Sequence, residues 1–555
     1  VAVLIPDPNS RELAAKNPGQ RSLKAAVPWT VWTTMAAIIC WRRFRYGFDV
    51  DELEHLHVAW EVAKGRLIYR DFFEHHPPVL YCLAAPIVGR MSRLTVGVLV
   101  FCRAFGVGVT LMTAALQYML MRRFLPRPVA AWGLVFCLLL CPLPQKLFDF
   151  RPDWLAMTLF LAAVLLLHAA VRGKGAGRLV QAAAAGVVVG LASLTSQKVW
   201  PLALACGLWA MLACIFADRS DRAHRCFAAG LWAAGGSSVV ALGVAIFAAR
   251  HAAGSMIGHV LILNIHWPAE ISWKLYGSIT VLAGLIPLSL AMAAAAARIL
   301  APGQRLRRAK ADLLVAYILL FGVAAYCRTP APWDQSVIFL ITTWAGMLAA
   351  VEICRLAAKR SISIRDLSPI LLASALCLSA VSRHHVAVVA AFWIVVAIAA
   401  VFIVRQSKQR TKRVHLACAL LAAASIVGYA RLEMFHPLES RRTAEFAAAT
   451  RLAALQSKYP RLLICTISAA PFRSNPTYNW YMAPGITATA DAEYSAALKA
   501  GTVDAVTCFD VNRYGDYPLT RRELQNAFIP HDQTDGQSIY VRDDASRVKT
   551  VGPDG

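Results

Sequence analysis

The chain has 555 residues, 58% of them hydrophobic and 16% charged, with a formal net charge of +25 and a mean hydropathy of +0.52. Soluble domains carry about a quarter charged residues, so this composition describes a polytopic membrane protein and excludes a soluble enzyme. Nucleic acid is excluded as the reason for the positive charge, because the basic residues fall in short clusters between apolar runs, as positive-inside loops do. The 14 cysteines are scattered without CxxC or Cys/His zinc spacing and read as small core residues.

Residues 1–26 are polar, with Arg11, Lys16, Arg21 and Lys24, and read as a cytoplasmic tail. Val27–Trp41 is expected to be the first span, an uncleaved signal anchor, since Trp41-Arg42-Arg43 is a poor cleavage site. The next segment, 42–95, holds the densest chemistry of the chain. Between 46 and 80 lie Asp49, Asp51, Glu52, Glu54, His55, His57, Asp71, Glu74, His75 and His76. Spacings of three and four predict a helix over Glu52–Lys64, with Leu53, Leu56, His57, Trp60 and Ala63 on one stripe and Asp51, Glu54 and His55 opposite. Such a helix is expected to lie in the membrane interface with Trp60 at headgroup level. Asp49 and Asp51 also stand where a helix begins, and capping is the plain alternative use for them. The Pro77-Pro78 pair ends any helix and holds His75 and His76 extended.

The run FDVDELEHLHVAW, then Gly65, then YRDFFEHHPPVL resembles the first extracytoplasmic loop of GT-C glycosyltransferases. The branch it is most similar to is the protein O-mannosyltransferase and lipid A aminoarabinose transferase type. Members carry an Asp-Glu pair soon after the first span, then a Pro-Pro element that is commonly Lys-Pro-Pro; here His76 stands in the lysine's place. The resemblance implies an all-α polytopic fold and transfer of a sugar from a polyprenyl-phosphate donor to an acceptor hydroxyl. The acceptor is a lipid, a glycan or a protein.

Beyond the loop, Val79–Gly89 is apolar but too short to cross and reads as interfacial. Spans are expected at 96–121, 128–142, 154–171, 179–194, 199–217, 227–249, 276–297, 312–327, 335–353, 367–381, 385–404 and 414–430, about 13 with the first. Clusters such as Arg122-Arg123 with Arg127, or Arg410 with Lys412-Arg413, then fall inside, while Lys146, Arg151, Lys198 and Arg328 stand outside. Arg42, Arg43 and Arg45 break that bias. Residues 27–430 therefore form the membrane domain, with its active loop at 42–95, in a bacterial inner membrane. From 431 to 555 the composition turns mixed, with strand-like runs Leu462–Ile467, Val503–Phe509 and Ser538–Val541 and helical patterns at 444–456 and 492–500. A small α/β domain on the periplasmic side is expected there. Cys465 and Cys508 either pair or stay as buried thiols.

Sugar transfer from a lipid phosphate needs one carboxylate to take the acceptor's proton and cationic or hydrogen-bonding groups to steady the departing phosphate. From the resemblance, Asp51 is the base and Glu52 positions it. Donor-phosphate candidates are Arg70, His75, His76, Arg151, Lys198 and Arg328; substrate contacts are expected from Asp49, His55, Glu74 and Asp153. Arg151-Pro152-Asp153 resembles a motif at this position in the same family, and Tyr326–Gln335 resembles its late periplasmic loop. Asp153 is equally suited to capping the helix after Pro152. Ala470–Tyr481 resembles an aromatic stretch of bacterial members. Asp49-Val50-Asp51 spells D-x-D, and Asp51 with His55 stands at i, i+4, a spacing that can chelate. Some GT-C oligosaccharyltransferases use such acids with a divalent ion, while the resemblance to monophosphate-donor members implies metal independence, so no cofactor is expected and a divalent metal is the alternative. A transporter or flippase is the rival class; it would show internal repeats and ionisable residues at mid-membrane, whereas no repeat is seen here and acids such as Asp153, Asp312 and Glu352 fall near span ends.

Overall fold

A computed structural model describes residues 18–264, with short gaps at 124–126, 140–143, 173–175 and 216–218, and in the C-terminal part 450, 458–459, 461–464, 496, 503–509, 528–534 and 537–542. The expected spans after 264, the loop containing Arg328, the stretch 470–481, the helical patterns at 444–456 and 492–500 apart from residues 450 and 496, and Cys465 lie outside the described residues.

Helix α1, Pro18–Tyr46, runs past Trp41 and takes Arg42, Arg43 and Arg45 into its last turns, where cations suit the helix dipole. Gly47, at φ 93°, stops it. Two residues later Asp49 starts α2, Val50–Ala63, through a capping box: its side chain accepts from the Asp51 backbone N–H, and Glu52 reaches back to the Asp49 N–H. Gly65, at φ 84°, ends α2. A tight loop follows and leads through Pro77-Pro78 into α3, Val79–Val88. Thr95 caps α4, Val96–Arg122. Then come α5, Arg127–Leu139, a 3-10 turn over Pro144–Phe148, α6, Pro152–Arg172, and α7, Ala176–Ser193. After a second 3-10 turn at Gln197–Val199, α8 spans Trp200–Ile215, α9 Arg219–Ala248 and α10 Ala253–Ile257, the last continuing as a π-helical turn over Gly258–Leu263.

Among the described residues four helical stretches are long and apolar enough to cross a membrane: Val96–Arg122, Pro152–Ala170, Ala176–Ser193 and Arg222–Ala248. The chain is an integral membrane protein, and these stretches match four of the expected spans. The expected interfacial position of the loop helix is corrected. On α2, Glu52, Leu53, Glu54, His55, Leu56, His57, Val58, Ala59 and Glu61 are all buried. Its apolar side chains join one core with Phe48, Ile68, Tyr69, Phe72 and Leu80 of the loop, Leu99 of α4, Leu194, Phe247 of α9 and Met256 of α10. The helix is buried on its charged face as well as its apolar one, because its acids find arginines and, for Glu54, histidines within the protein.

Small residues bring α7 and α9 into backbone contact: a Cβ on Gly186 would stand 2.2 Å from the Trp232 carbonyl oxygen, and one on Gly235 2.9 Å from that of Ala183. Close backbone approach is how helices gain packing energy in lipid. In the C-terminal part, β1 (Leu462–Ile464) pairs parallel with β2 (Ala505–Phe509), and β4 (Gln537–Arg542) lies antiparallel between β2 and β3 (Phe528–Thr534). The order is β1-β2-β4-β3. Strand β3, with Pro530 and a polar centre, gave no alternating signal; it is an edge strand, where proline is tolerated.

Replacing Gly186 by valine should lower the melting midpoint in detergent by several degrees. Gly177→Ala, where a Cβ meets nothing within 4 Å, should leave the midpoint unchanged. Equal effects of the two would show that the close α7–α9 approach is not what Gly186 provides.

Candidate functional site

Four acids and four cations meet where α1, α2, α4 and the start of α6 converge: Asp49, Asp51, Glu52 and Asp149 against Arg43, Arg103, Lys146 and Arg151. Glu52 is the hub. Arg103 grips it with both terminal nitrogens, at 2.8 and 2.7 Å, and Arg43 adds a third contact at 3.3 Å. The backbone N–H groups of Asp49 and Phe150 complete it at 2.9 and 2.8 Å. A fully buried carboxylate so surrounded is a fixed ion. Burial alone would raise its pKa, but Arg103 and Arg43 outweigh burial and hold it below the usual carboxylate value.

Arg103 sits on a polar and small-residue stripe of α4, Arg103, Gly106, Thr110, Thr113 and Gln117, spaced three and four apart. Gly106 lets the 3-10 turn approach, since a Cβ there would lie 2.4 Å from the Phe148 oxygen. Arg103 then donates to that oxygen at 2.6 Å and Thr110 to the Leu147 oxygen at 2.8 Å. Asp149 is delivered into contact with Arg43, and burial pushes its pKa up to about 6 despite that neighbour.

Asp49 pairs with Lys146 and, at 2.5 Å, with Arg151; burial is again outweighed, chiefly by Arg151, so its pKa is far below normal. The same Arg151 nitrogen contacts Asp51. A guanidinium thus fills the position between the two D-x-D carboxylates. The side chain of Asp51 is 38% exposed, against 16% for Asp49 and none for Glu52 and Asp149, so it is the acid of this group that meets solvent.

Beside this network, Asp153 accepts from Lys198 at 2.7 Å and from Ser196 at 2.8 Å, so the lysine between two apolar runs has an acid partner. The loop after α2 is tied down by Arg66, which bonds Glu61 at 2.9 Å and the Asp71 carbonyl at 2.5 Å, and by Asp71, which accepts from the Leu67 N–H. Arg70, exposed, pairs with Asp71 at 2.7 Å, so its side chain is committed there. Farther along, Glu54, Glu74, His75 and His76 come together, all buried, with ligand atoms within 4.8 Å of one another, a set among the described residues that could hold a metal. His55 lies against it, 3.0 Å from the Tyr81 hydroxyl and edge-on to the His76 ring. Burial first, then His76, drives the pKa of both His55 and His75 well below normal, so both are neutral imidazoles.

The structure therefore brings Asp49, Asp51, Glu52 and Arg151 into one network, joins Asp153 to Lys198, and sets His55, Glu74, His75 and His76 in a neighbouring cluster. Arg43, Arg103, Lys146 and Asp149 were missed as site residues. For two of them a signal existed: Arg103 is a charge inside an apolar run, which marks a built site, and Arg43 broke the positive-inside bias.

These helices, with the acid-bearing loop folded between the first span and the next, form a membrane fold of the kind seen in ArnT. One solved structure to which it is similar over nearly its whole length is ArnT from Cupriavidus metallidurans in the apo state: 14% identity, TM-score 0.58, covering 95% of this chain and 98% of that one. ArnT from the same organism bound to undecaprenyl phosphate matches at 13% identity and TM-score 0.54, over 94% and 98%. An archaeal oligosaccharyltransferase, AglB from Archaeoglobus fulgidus in complex with an inhibitory peptide and a dolichol-phosphate, matches at 10% identity and TM-score 0.44, over 92% and 74%. No protein-family model and no curated protein sequence matches.

Glu52→Gln should cost about 3–5 kcal/mol of stability, because the two buried guanidiniums lose their counter-charge. The depressed values of Glu52 and Asp49 mean that their contribution is complete above about pH 4.5 and is lost as pH falls below it. Asp149, raised to about 6, works in the opposite direction, its protonation favouring the fold as pH falls from about 6 toward 3.8. The melting midpoint should therefore drop steeply below about pH 4.5, and the drop should flatten in Glu52→Gln, measured by fluorescence melting in detergent.

Proposed function

We propose that this protein is an integral-membrane glycosyltransferase that moves a sugar from a polyprenyl-phosphate donor to an acceptor hydroxyl, with inversion, on the periplasmic face of a bacterial inner membrane. The likeness in fold to ArnT bound to undecaprenyl phosphate supports the donor class. The observation that carries the mechanism is the exposure of Asp51 beside three buried or nearly buried acids. Glu52 and Asp149 are enclosed, and Asp49 is clamped by Lys146 and Arg151. Asp51 alone of the four presents a carboxylate to an incoming alcohol.

In this reading the acceptor oxygen attacks the anomeric carbon from the face opposite the phosphate, and Asp51 takes the hydroxyl proton. The bond from the anomeric carbon to the phosphate oxygen breaks, and the carrier leaves as its monophosphate with the electron pair. Glu52 positions the base: it anchors the first turn of α2 through Arg103 and so fixes Asp51 one residue away. Arg151 and Lys198 are our choice to meet the donor phosphate, with Arg328 joining from outside the described residues. Asp153 orients Lys198. The acceptor is a lipid, a glycan or a protein, and the periplasmic domain over 431–555 is the part of the chain we assign to its recognition.

A panel of radiolabelled polyprenyl-phosphate sugars offered to the purified enzyme should identify a consumed donor. Removing a positioned general base costs about 10²- to 10⁴-fold, so Asp51→Asn should lose transfer by that factor while melting at the wild-type midpoint. Near wild-type turnover would remove the assignment. Lys198→Met should raise KM for the donor more than it lowers kcat.

A further inference from the structure

We propose that Glu54, Glu74, His75 and His76 bind one divalent transition-metal ion of the zinc class, as a structural clasp between α2 and the Glu-His-His-Pro-Pro segment. The site is separate from the D-x-D acids, and it stands whether or not the transferase reading does.

The geometry is that of a ligand cage slightly open. His75 Nδ1 lies 3.7 Å from Glu54 Oε1 and 3.7 Å from Glu74 Oε1. His76 Nδ1 lies 3.9 Å from Glu54 Oε1 and 2.8 Å from Glu74 Oε1. Ligand atoms on a tetrahedral zinc ion, at its usual bond lengths of about 2.0–2.1 Å, stand about 3.3 Å from one another. Of the six separations in such a cage these four lie within about 0.6 Å of that value and all six lie within 4.8 Å, so small side-chain adjustments would seat the ion. All four residues are buried, with Glu54 and Glu74 each 1% exposed. Two carboxylates enclosed together repel one another, and a dication neutralises both. The mixture of two nitrogens and two oxygens suits zinc and its neighbours; calcium and magnesium prefer all-oxygen sets with more ligands.

The backbone that carries the ligands is held from several sides, as a ligand shell requires. Glu74 Oε1 accepts from the N–H groups of His75 and His76 at 2.9 and 2.7 Å, which curls the segment on itself. Tyr69, in left-handed backbone at φ 70°, donates its hydroxyl to the His76 carbonyl at 2.6 Å. Asn264, from the far end of the π-helical turn, donates to the His75 carbonyl at 3.0 Å. Four protein ligands leave no open position, so the ion holds structure and takes no part in transfer. Its consequence is mechanical. Glu54 is three residues from Asp51 on α2, and His76 precedes the two prolines that lead into α3, so the clasp locks the helix bearing the base onto the loop behind it.

The test uses the full chain in detergent, dialysed against metal-free buffer. Elemental analysis should find one zinc-class ion per chain in the wild type and less than about a tenth of that in a Glu54→Gln, His75→Ala double variant, given that each lost ligand weakens the site by tenfold or more. Because the double variant is at risk of misfolding, the wild type carries a second arm. After stripping with a strong chelator, cobalt(II) should give the visible bands of tetrahedral coordination, and zinc should raise the melting midpoint above that of the stripped protein. Purified wild type without bound transition metal, and without a response to cobalt or zinc, overturns the proposal. So does a double variant that retains the ion in full, since the metal would then sit elsewhere.

Discussion

The bidentate pair between Arg103 and Glu52 is the contact on which the arrangement depends. In a low-dielectric setting an unpaired charge is costly, and a planar guanidinium matched to a carboxylate is the arrangement that best offsets that cost. The pair links a residue 51 positions away along the chain, on α4, to the first turn of α2. Once it forms, the acidic loop cannot remain a surface excursion: the rest of α2 follows Glu52 into the protein. The apolar side chains of the loop then complete the core with α9 and α10.

Around that pair the charges balance, four acids against four cations, but unequally. Glu52 and Asp149 are enclosed, Asp49 is clamped, and Asp51 is left with its carboxylate partly in solvent. Burial sets the difference between neighbours of the same chemistry. The same force acts in the second cluster, where two imidazoles and two buried glutamates are packed together with no exposed member. The result is a fixed, dry scaffold with one partly exposed acid, Asp51, at its edge.

Packing between elements is what allows such charges to meet. Gly106 admits the Phe148 carbonyl to the surface of α4, and without that approach neither Asp149 nor the Phe150 N–H would reach the centre. The stripe of Arg103, Gly106, Thr110, Thr113 and Gln117 carries the contact. It has helical spacing and was readable in the sequence as an inward face; hydropathy averaged over a whole span hides it, because the apolar residues on the other faces dominate the mean.

Much of the outline was legible from the chain alone. Apolar runs of the required length located the four membrane-crossing helices in the described residues, since backbone groups in lipid must bond within their own segment. Asp49, Glu52 and Gly65 marked the ends of α2 because capping is local chemistry, settled by residues within a few positions. Alternating apolar runs located β1, β2 and β4, while β3 escaped for want of that alternation. What no local pattern contains is which distant charge reaches which. Whether α2 lies on the membrane or inside the protein, whether Asp51 or Glu52 is the exposed acid, and that Lys198 meets Asp153 all rest on residues brought together from separate helices. Periodicity reports the faces of an element; the partner for each face is a long-range choice, made when burying charge beside opposite charge costs less than leaving either alone.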